Sequence, residues 1–216
     1  MTATAYQQAM REFLSERPEW RAYLPAISLS AEQSAVENPL STGPVDEIVK
    51  HLPDVADLGG ADTRHLVRLA LAASGALRWF STYRADDIRV GRGKVARTAV
   101  ATLAGPGGVF STRQAMSGLF FVRDGVEYAA HSHEADEIYV LLAGTGHFWR
   151  EDLGWYIARP GDVMENGSWI QHAMMSAEQP LLIAWAHVGE GVGDRALLHS
   201  DDGSLPDGGP TAKECA

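Results

Sequence analysis

The chain of 216 residues contains one cysteine, Cys215, close to its C-terminal end. A single cysteine cannot form a disulfide within the chain, so a disulfide framework is excluded and a reducing cytoplasm is the expected compartment. Basic residues are also few, because 18 Lys and Arg stand against 28 Asp and Glu and give a formal net charge of −10. This acidic balance argues against nucleic acid or an anionic membrane as a partner, since both bind clustered positive charge.

Long apolar segments are missing as well. No run approaches the roughly 20 residues that cross a bilayer, and the first residues lack the basic and apolar regions of a secretion signal. Hydrophobic residues make up 45% of the chain and charged residues 21%, which is typical of a globular protein. We therefore expect a cytoplasmic protein of one domain, with or without an extension, and no membrane partner.

The hydrophobic pattern of the first part of the chain is helical. Apolar residues recur three or four apart in Thr4–Leu14 and again from Asp62, a candidate N-cap, to about Tyr83. A shorter helical piece is predicted at Val45–His51. Residues 1–90 are therefore predicted to form a helical N-terminal extension that packs on the rest of the protein or forms a subunit interface.

After Gly93 the hydrophobic period changes to two, which is typical of strands. Turn residues separate short predicted strands at Lys94–Leu103, Gly118–Arg123, Asp136–Leu142, Gly146–Glu151, Trp155–Arg159 and Leu181–Val188. Many short strands in succession predict a sandwich or jelly roll. We expect a mainly β barrel over residues 91–198 and a mobile C-terminal tail over residues 199–216, which is rich in Gly, Asp and Pro.

A cluster of chemically active side chains lies at the centre of the predicted barrel. In a strand, residues two and four apart point the same way, so His131, His133, Glu137 and Tyr139 share one face if the backbone is extended. Two imidazoles and a carboxylate that leave coordination positions open suit catalytic zinc or non-haem iron. The spacing therefore predicts a metal site.

The same residues resemble the two signatures of the cupin superfamily. The first is filled by Gly125-x5-His131-x-His133-x3-Glu137-x6-Gly144. The second is similar to Gly154-x5-Pro160-Gly161-Asp162 followed by Gly167-x4-His172, although the spacing from Pro160 to His172 is longer than the usual pattern. The resemblance implies a double-stranded β-helix that binds one divalent ion, zinc, iron or manganese, through His131, His133, Glu137 and His172.

Two tyrosines extend the resemblance to one cupin family. The pattern Tyr128-x4-His133-x3-Glu137-x-Tyr139, with the distal His172, resembles the cupin-type dimethylsulfoniopropionate (DMSP) lyases. These enzymes split a zwitterionic sulfonium carboxylate into dimethyl sulfide and acrylate. The resemblance implies a metal-dependent carbon-sulfur lyase in which Tyr128 removes the α-proton, with Tyr139 as the second candidate for that role.

The position of Tyr128 needs a particular backbone. Its strand parity is opposite to that of His131 and His133, so a regular strand would direct it out of the site. A bulge or turn around Ala129 and Ala130 is needed to bring it in. The histidines His147 and His187 also lie on predicted strands, and we interpret both as structural.

Two other functions remain open at this point. A cupin dioxygenase would use the same ligands with non-haem iron but has no need of a phenolate base. A small-molecule sensor without catalysis is disfavoured because no DNA-binding module is evident. A lyase would accept a small zwitterion whose sulfonium contacts aromatic faces, the candidates being Trp149, Trp155, Trp169, Trp185 and Tyr156. The sequence leaves open whether the chain forms a homodimer.

Overall fold

The computed structural model describes residues 3–24, 44–84 and 86–209. In these ranges the helices are α1 (Ala3–Ser15), α2 (Pro44–Val49), α3 (Arg64–Ala73) and α4 (Lys94–Arg97). The strands are β1 (Trp79–Phe80), β2 (Thr98–Ala104), β3 (Ala115–Val122), β4 (Val126–Ser132), β5 (Asp136–Ala143), β6 (Gly146–Arg150), β7 (Gly154–Ala158), β8 (Val163–Asn166), β9 (His172–Ser176), β10 (Leu181–Val188) and β11 (Leu197–Leu198). Short 3-10 turns lie at Pro18–Tyr23, Leu52–Val55, Ser74–Ala76 and Ile88–Val90. No described helix has the length and apolar character needed to cross a bilayer.

The strands form two antiparallel sheets. Sheet one has the order β1-β2-β3-β10-β5-β8, and sheet two has the order β11-β4-β9-β6-β7. An apolar cluster drawn from both sheets lies between them and includes Val122, Leu141 and Ile183 of sheet one with Phe148 and Met174 of sheet two. This arrangement is the mainly β, two-sheet cupin-like fold that the sequence predicts, and the N-terminal helices are present as expected.

Sheet one is buried on both faces. Along β10, Leu181, Ile183 and Trp185 join the cluster between the sheets, while Leu182 and Ala184 join a second cluster with the N-terminal helices. A sheet covered on both faces reads as continuous apolar sequence. The helical extension therefore closes the outer face of the sheet that carries half of the candidate site.

Side-chain hydrogen bonds stabilise one end of each long helix of the extension. After α1, Arg17 donates a hydrogen bond of 2.8 Å to the Phe13 carbonyl and lies 3.8 Å from the centre of the Phe13 ring. Before α3, the Thr63 hydroxyl accepts from the Gly60 N–H at 2.9 Å and donates to the Leu142 carbonyl of β5 at 2.7 Å. The second of these bonds ties the start of α3 directly to sheet one.

Two predicted element boundaries are wrong. The helix from Asp62 ends at Ala73 rather than near Tyr83, because the chain turns at Ser74–Ala76 and then enters β1. The Ser74 hydroxyl bonds to the last turn of the helix, and the Trp79 indole donates to the Ser74 carbonyl. The strand predicted from Lys94 begins only at Thr98, because residues Lys94–Arg97 form α4.

The end of the predicted barrel packs against sheet two. Strand β11 pairs with β4 through Leu198 and His131. The His199 ring lies 2.8 Å from the Ser132 hydroxyl, and the Trp155 indole donates to the Pro206 carbonyl at 3.3 Å. The mobility of residues 199–216 and the divisions at residues 90 and 198 stay predictions. Cys215 lies outside the described residues.

Candidate metal centre

Five strands and one tight connection bring the candidate site together inside the barrel. His131 lies near the end of β4, and His133 follows directly in the connection to β5. Glu137 lies on β5, and His172 begins β9. In sheet one Glu137 lies directly between His187 of β10 and Asn166 of β8. Because directly paired residues of neighbouring strands have their side chains on one face, these two side chains flank the carboxylate.

A bulge brings Tyr128 to the site, as its parity requires. Tyr128 pairs with Met174 of β9, whereas His131 pairs with His172, so the register shifts between Tyr128 and His131. One more residue lies on β4 than on β9 across this interval, which is the geometry of a β-bulge. As a result the Tyr128 ring stacks on the His131 ring, with centres 3.9 Å apart and planes at 16°.

The three histidines predicted as ligands are oriented in the same way. The Nδ1 atoms of His131, His133 and His172 lie 3.0, 2.8 and 3.0 Å from the carbonyl oxygens of Ala129, Ala135 and Ile170. A carbonyl only accepts, so each Nδ1 carries the proton and each Nε2 presents a lone pair. Second-shell bonds of this kind fix the tautomer and ring orientation of metal-binding histidines.

The Glu137 carboxylate contacts three histidines and one asparagine. Its Oε1 lies 2.8 Å from His187 Nε2, and its Oε2 accepts from Asn166 Nδ2 at 3.1 Å. The same Oε2 lies 3.4 Å from His133 Nε2 and 3.3 Å from His172 Nε2. Burial alone would raise the pKa of Glu137, but the surrounding histidines hold that pKa well below its usual range. The side chain is therefore a buried carboxylate.

The donor set fits a divalent ion. The ligand atoms of His133, Glu137 and His187 lie within 4.8 Å of one another. The Nε2 atoms of His133 and His172 are buried and have no hydrogen-bond partner. A buried nitrogen without a partner costs about 1–3 kcal/mol, and a bound cation would remove that cost at both positions. Imidazole and carboxylate donors accept zinc, iron or manganese, so they do not select one metal.

The protonation states of the other histidines agree with a metal centre. Burial, together with nearby His172, holds the pKa of His131 well below its ordinary value, so this ring is neutral. Burial also disfavours charge on His133, but the Glu137 carboxylate outweighs it and raises the pKa of His133. A bound metal cation would interact favourably with the Glu137 carboxylate in the same way as a proton on His133.

The two predicted catalytic tyrosines are both buried inside the barrel. The Tyr139 ring is 6.2 Å from the His172 ring in an edge-on arrangement. Burial, and then the Glu137 charge, raises the pKa of Tyr139 well above its ordinary value. Burial likewise raises the pKa of Tyr128, followed by the effects of Tyr83 and Tyr139. Neither phenol is therefore ionised by its protein surroundings alone.

The structure brings together all six residues that the sequence proposes for the site, and their roles stay predictions. Asn166 was not among the predicted site residues, and His187 was predicted to be structural. The sequence did carry a signal for His187, because every second residue of a strand points to the same face. His187 shares its face of β10 with Leu181, Ile183 and Trp185. The pairing of His187 with Glu137 could not be predicted from the sequence, because it depends on the register between β10 and β5.

The predicted aromatic contacts for a sulfonium divide into near and remote residues. A narrow cavity beside His131 and His172 is bordered by Trp149 and Tyr156, and the Trp185 ring lies 5.2 Å from His187. Trp155 instead bonds to the segment after β11. Trp169 is 54% exposed, although its backbone N–H donates to the His133 carbonyl at 2.8 Å.

Comparison with known proteins gives one family and one fold. A family model described as dimethylsulfoniopropionate lyase matches residues 23–183. The curated dimethylsulfoniopropionate lyase DddQ of Ruegeria pomeroyi is 32% identical over 122 residues, which are 55% of this chain and 60% of that lyase. The aligned stretch thus spans less than two thirds of this relative.

Two solved structures match nearly the whole chain. One comes from crystal structures of the DMSP lyases RdDddP and RnDddQII, and it matches with a TM-score of 0.77 at 25% identity, over 92% of this chain and 98% of that chain. The other, DMSP lyase DddQ from Ruegeria pomeroyi, gives a TM-score of 0.75 at 24% identity, over 93% and 98%. At this identity the second likeness shows the fold.

Proposed function

The chain belongs to the dimethylsulfoniopropionate lyase family, and from this premise we propose that it cleaves DMSP by β-elimination into dimethyl sulfide and acrylate. One observation carries the proposal. The carboxylate of Glu137 is buried among His133, His172 and His187, and Glu137, His133 and His172 lie within the segment that the family model matches. A donor set of this kind is suited to a metal-assisted reaction of a carboxylate substrate.

We propose that His131, His133, Glu137 and His172 hold the ion. The Nε2 atoms of His133 and His172 support the assignment of these two residues, because they lie 3.4 and 3.3 Å from the same Glu137 oxygen and have no hydrogen-bond partner. Asn166 and His187 then orient the Glu137 carboxylate through one bond to each oxygen. A bound divalent ion would supply Lewis-acid stabilisation of the negative charge that develops on the substrate carboxylate.

The elimination needs one base and no acid. Tyr128, in the ionised form that the charge of a bound cation would favour, takes the proton from the carbon next to the carboxylate. The electrons of that C–H bond form the carbon-carbon double bond, and the carbon-sulfur bond breaks. Dimethyl sulfide leaves as a neutral molecule because the sulfonium keeps the bonding pair, so no proton is needed on the leaving group. Tyr139, near His172, is the second candidate for the base.

The test is headspace detection of dimethyl sulfide from purified, metal-loaded protein given DMSP, with metal content measured on the same sample. General-base catalysis contributes about 10²–10⁴-fold, so Tyr128→Phe should lose at least about 100-fold in kcat while keeping its metal. Tyr23→Phe is the matched control, since it removes a buried hydroxyl that bonds to Glu165.

Three outcomes would count against parts of the proposal. A metal-loaded wild type that forms no dimethyl sulfide contradicts the function. A Tyr128→Phe variant within a few-fold of wild type, beside an inactive Tyr139→Phe variant, reverses the roles of the tyrosines. Consumption of oxygen with another substrate would favour the dioxygenase that the same donor set can support. A cytoplasmic location stays a prediction.

A further inference from the structure

A buried lysine lies beside the proposed base and has no role in the chemistry described so far. Lys94 begins α4 and is 2% exposed. Its ammonium contacts the Thr98 hydroxyl at 3.4 Å, and no carboxylate among the described residues forms an ion pair with it. It lies instead 4.2 Å from the centre of the Tyr128 ring, 4.5 Å from that of Phe120 and 5.4 Å from that of Tyr83.

The backbone holds this lysine against β4. The N–H of Glu127 donates to the Arg92 carbonyl at 2.8 Å, and Gly93 bridges to Glu127. The absence of a side chain at Gly91 allows this segment to lie close to β4, because a Cβ at Gly91 would lie 2.2 Å from the Glu127 carbonyl oxygen. The start of α4 is therefore fixed to the strand that carries Tyr128.

Tyr128 has neighbours on both ring faces, at its edge and at its hydroxyl. One face of its ring stacks on His131, so the Lys94 ammonium can only lie over the opposite face. The Phe120 ring meets it edge-on, with centres 6.3 Å apart. The Tyr128 hydroxyl lies 2.8 Å from the hydroxyl of Tyr83, which is half-buried in the loop after β1.

We propose that Lys94 and Tyr83 are positioning residues for Tyr128, an inference that rests on the proposed function. Tyr83 fixes the direction of the Tyr128 hydroxyl through one hydrogen bond. Lys94 fixes the tilt of the ring, because its side chain lies over the face opposite His131, and in its protonated form it also attracts that face as a cation. A base that is already held in its reactive geometry does not have to lose conformational entropy during the reaction. A small displacement of such a base therefore lowers the reaction rate strongly.

A purely structural role for Lys94 is less consistent with its surroundings. Burying an ammonium without a carboxylate is costly, and a methionine would fill the same space among three aromatic rings without a charge. Loss of the charge should therefore not weaken the fold. A residue that is unfavourable for folding and touches the proposed base is expected to serve the reaction.

The test is a set of double-mutant cycles on metal-loaded protein. Lys94→Met and Tyr83→Phe should each lower kcat about 10-fold or more, with KM within about three-fold of wild type. In the Tyr128→Phe background both changes should have no further effect, because they act through the missing hydroxyl or its ring placement. Tyr23→Phe, the control, should leave kcat unchanged in both backgrounds.

A readout without substrate separates this inference from the proposed function. In protein labelled with 3-fluorotyrosine, the Tyr128 signal can be assigned by its loss in Tyr128→Phe. Lys94→Met and Tyr83→Phe should each shift that signal, and Tyr23→Phe should not. A wild type that forms no dimethyl sulfide overturns the proposed function, while this spectrum still decides whether the two residues fix the ring.

The positioning role is contradicted by either of two results. One is a Tyr128 signal that stays unchanged in both variants. The other is a loss of kcat that is just as large in the Tyr128→Phe background, which would show a general effect on the fold. If Lys94→Met does not fold, Tyr83→Phe decides alone, because its half-buried hydroxyl can be removed without opening the core.

Discussion

The unpaired charge of Lys94 gives a stability prediction that can be worked from the structure. Burial lowers the pKa of Lys94 from 10.5 to about 7, which corresponds to about 5 kcal/mol of unfavourable interaction in the charged form. Each aromatic face can return about 0.5–2 kcal/mol of this. Because the three faces together return at least about 1.5 kcal/mol, we expect Lys94→Met at pH 6 to raise the free energy of unfolding by up to about 3.5 kcal/mol.

The sign of the pH dependence follows from the same values. Between pH 7 and 10.5 the unfolded chain keeps the Lys94 proton while the folded protein has released it. Since the unfolded state binds more protons there, the stability of the wild type rises with pH, by up to about 1.4 kcal/mol per pH unit from this residue. Lys94→Met lacks this rise, so its advantage should shrink by about 3 kcal/mol between pH 7 and pH 9.5.

Urea unfolding followed by tryptophan fluorescence measures this difference. Both proteins should be stripped of metal, because metal affinity itself depends on pH. Comparing the two curves at each pH cancels the ionisation of the other groups that they share. A variant that is less stable at pH 6, or a difference that stays constant from pH 6 to pH 9.5, would refute the reasoning about the buried charge.

Three further predictions concern the metal centre and the barrel. His187→Ala should weaken metal affinity by about 10–100-fold, as expected for the loss of a bond that orients a ligand; titration of the metal-free protein measures this, and His65→Ala, on the exposed face of α3, should bind as wild type does. Glu137→Gln should lose the metal more completely, and stoichiometric metal in this variant would contradict the ligand assignment. Gly118→Ala should cost about 3 kcal/mol or more of stability in thermal unfolding, because the added Cβ would lie 1.9 Å from a carbonyl oxygen of β2. The control Gly75→Ala has open space around the added Cβ and should be neutral or slightly stabilising.

The fold and the centre of the site were largely predictable because both depend on local patterns. The two-residue period marks the strands, and the spacing of His131, His133 and Glu137 follows from one short stretch of chain. Even the bulge before His131 could be anticipated, since Tyr128 otherwise has the wrong parity. The end of α3 at Ala73 was missed because apolar residues continue at helical spacing, while the pairing of β1 with β2 takes them into a sheet.

Apart from His172, which the second cupin signature includes, the residues that reach the site from distant parts of the chain could not be predicted. His187 and Asn166 contact Glu137 only through the register of β10 and β8 with β5. Tyr83 and Lys94 carry no signature, because they meet Tyr128 from a loop and a short helix. Their roles depend on three-dimensional packing, which a single sequence does not encode at fixed spacing.

The most direct test of the account is product formation with and without oxygen. Elimination consumes no oxidant, so metal-loaded protein given DMSP should release dimethyl sulfide and acrylate in equal amounts, at the same rate in an anaerobic vessel as in air. Tyr128→Phe, with its metal retained, should lower both products together by at least about 100-fold. A metal-loaded wild type that forms neither product, or forms them only when oxygen is consumed, would contradict the assignment as a DMSP lyase.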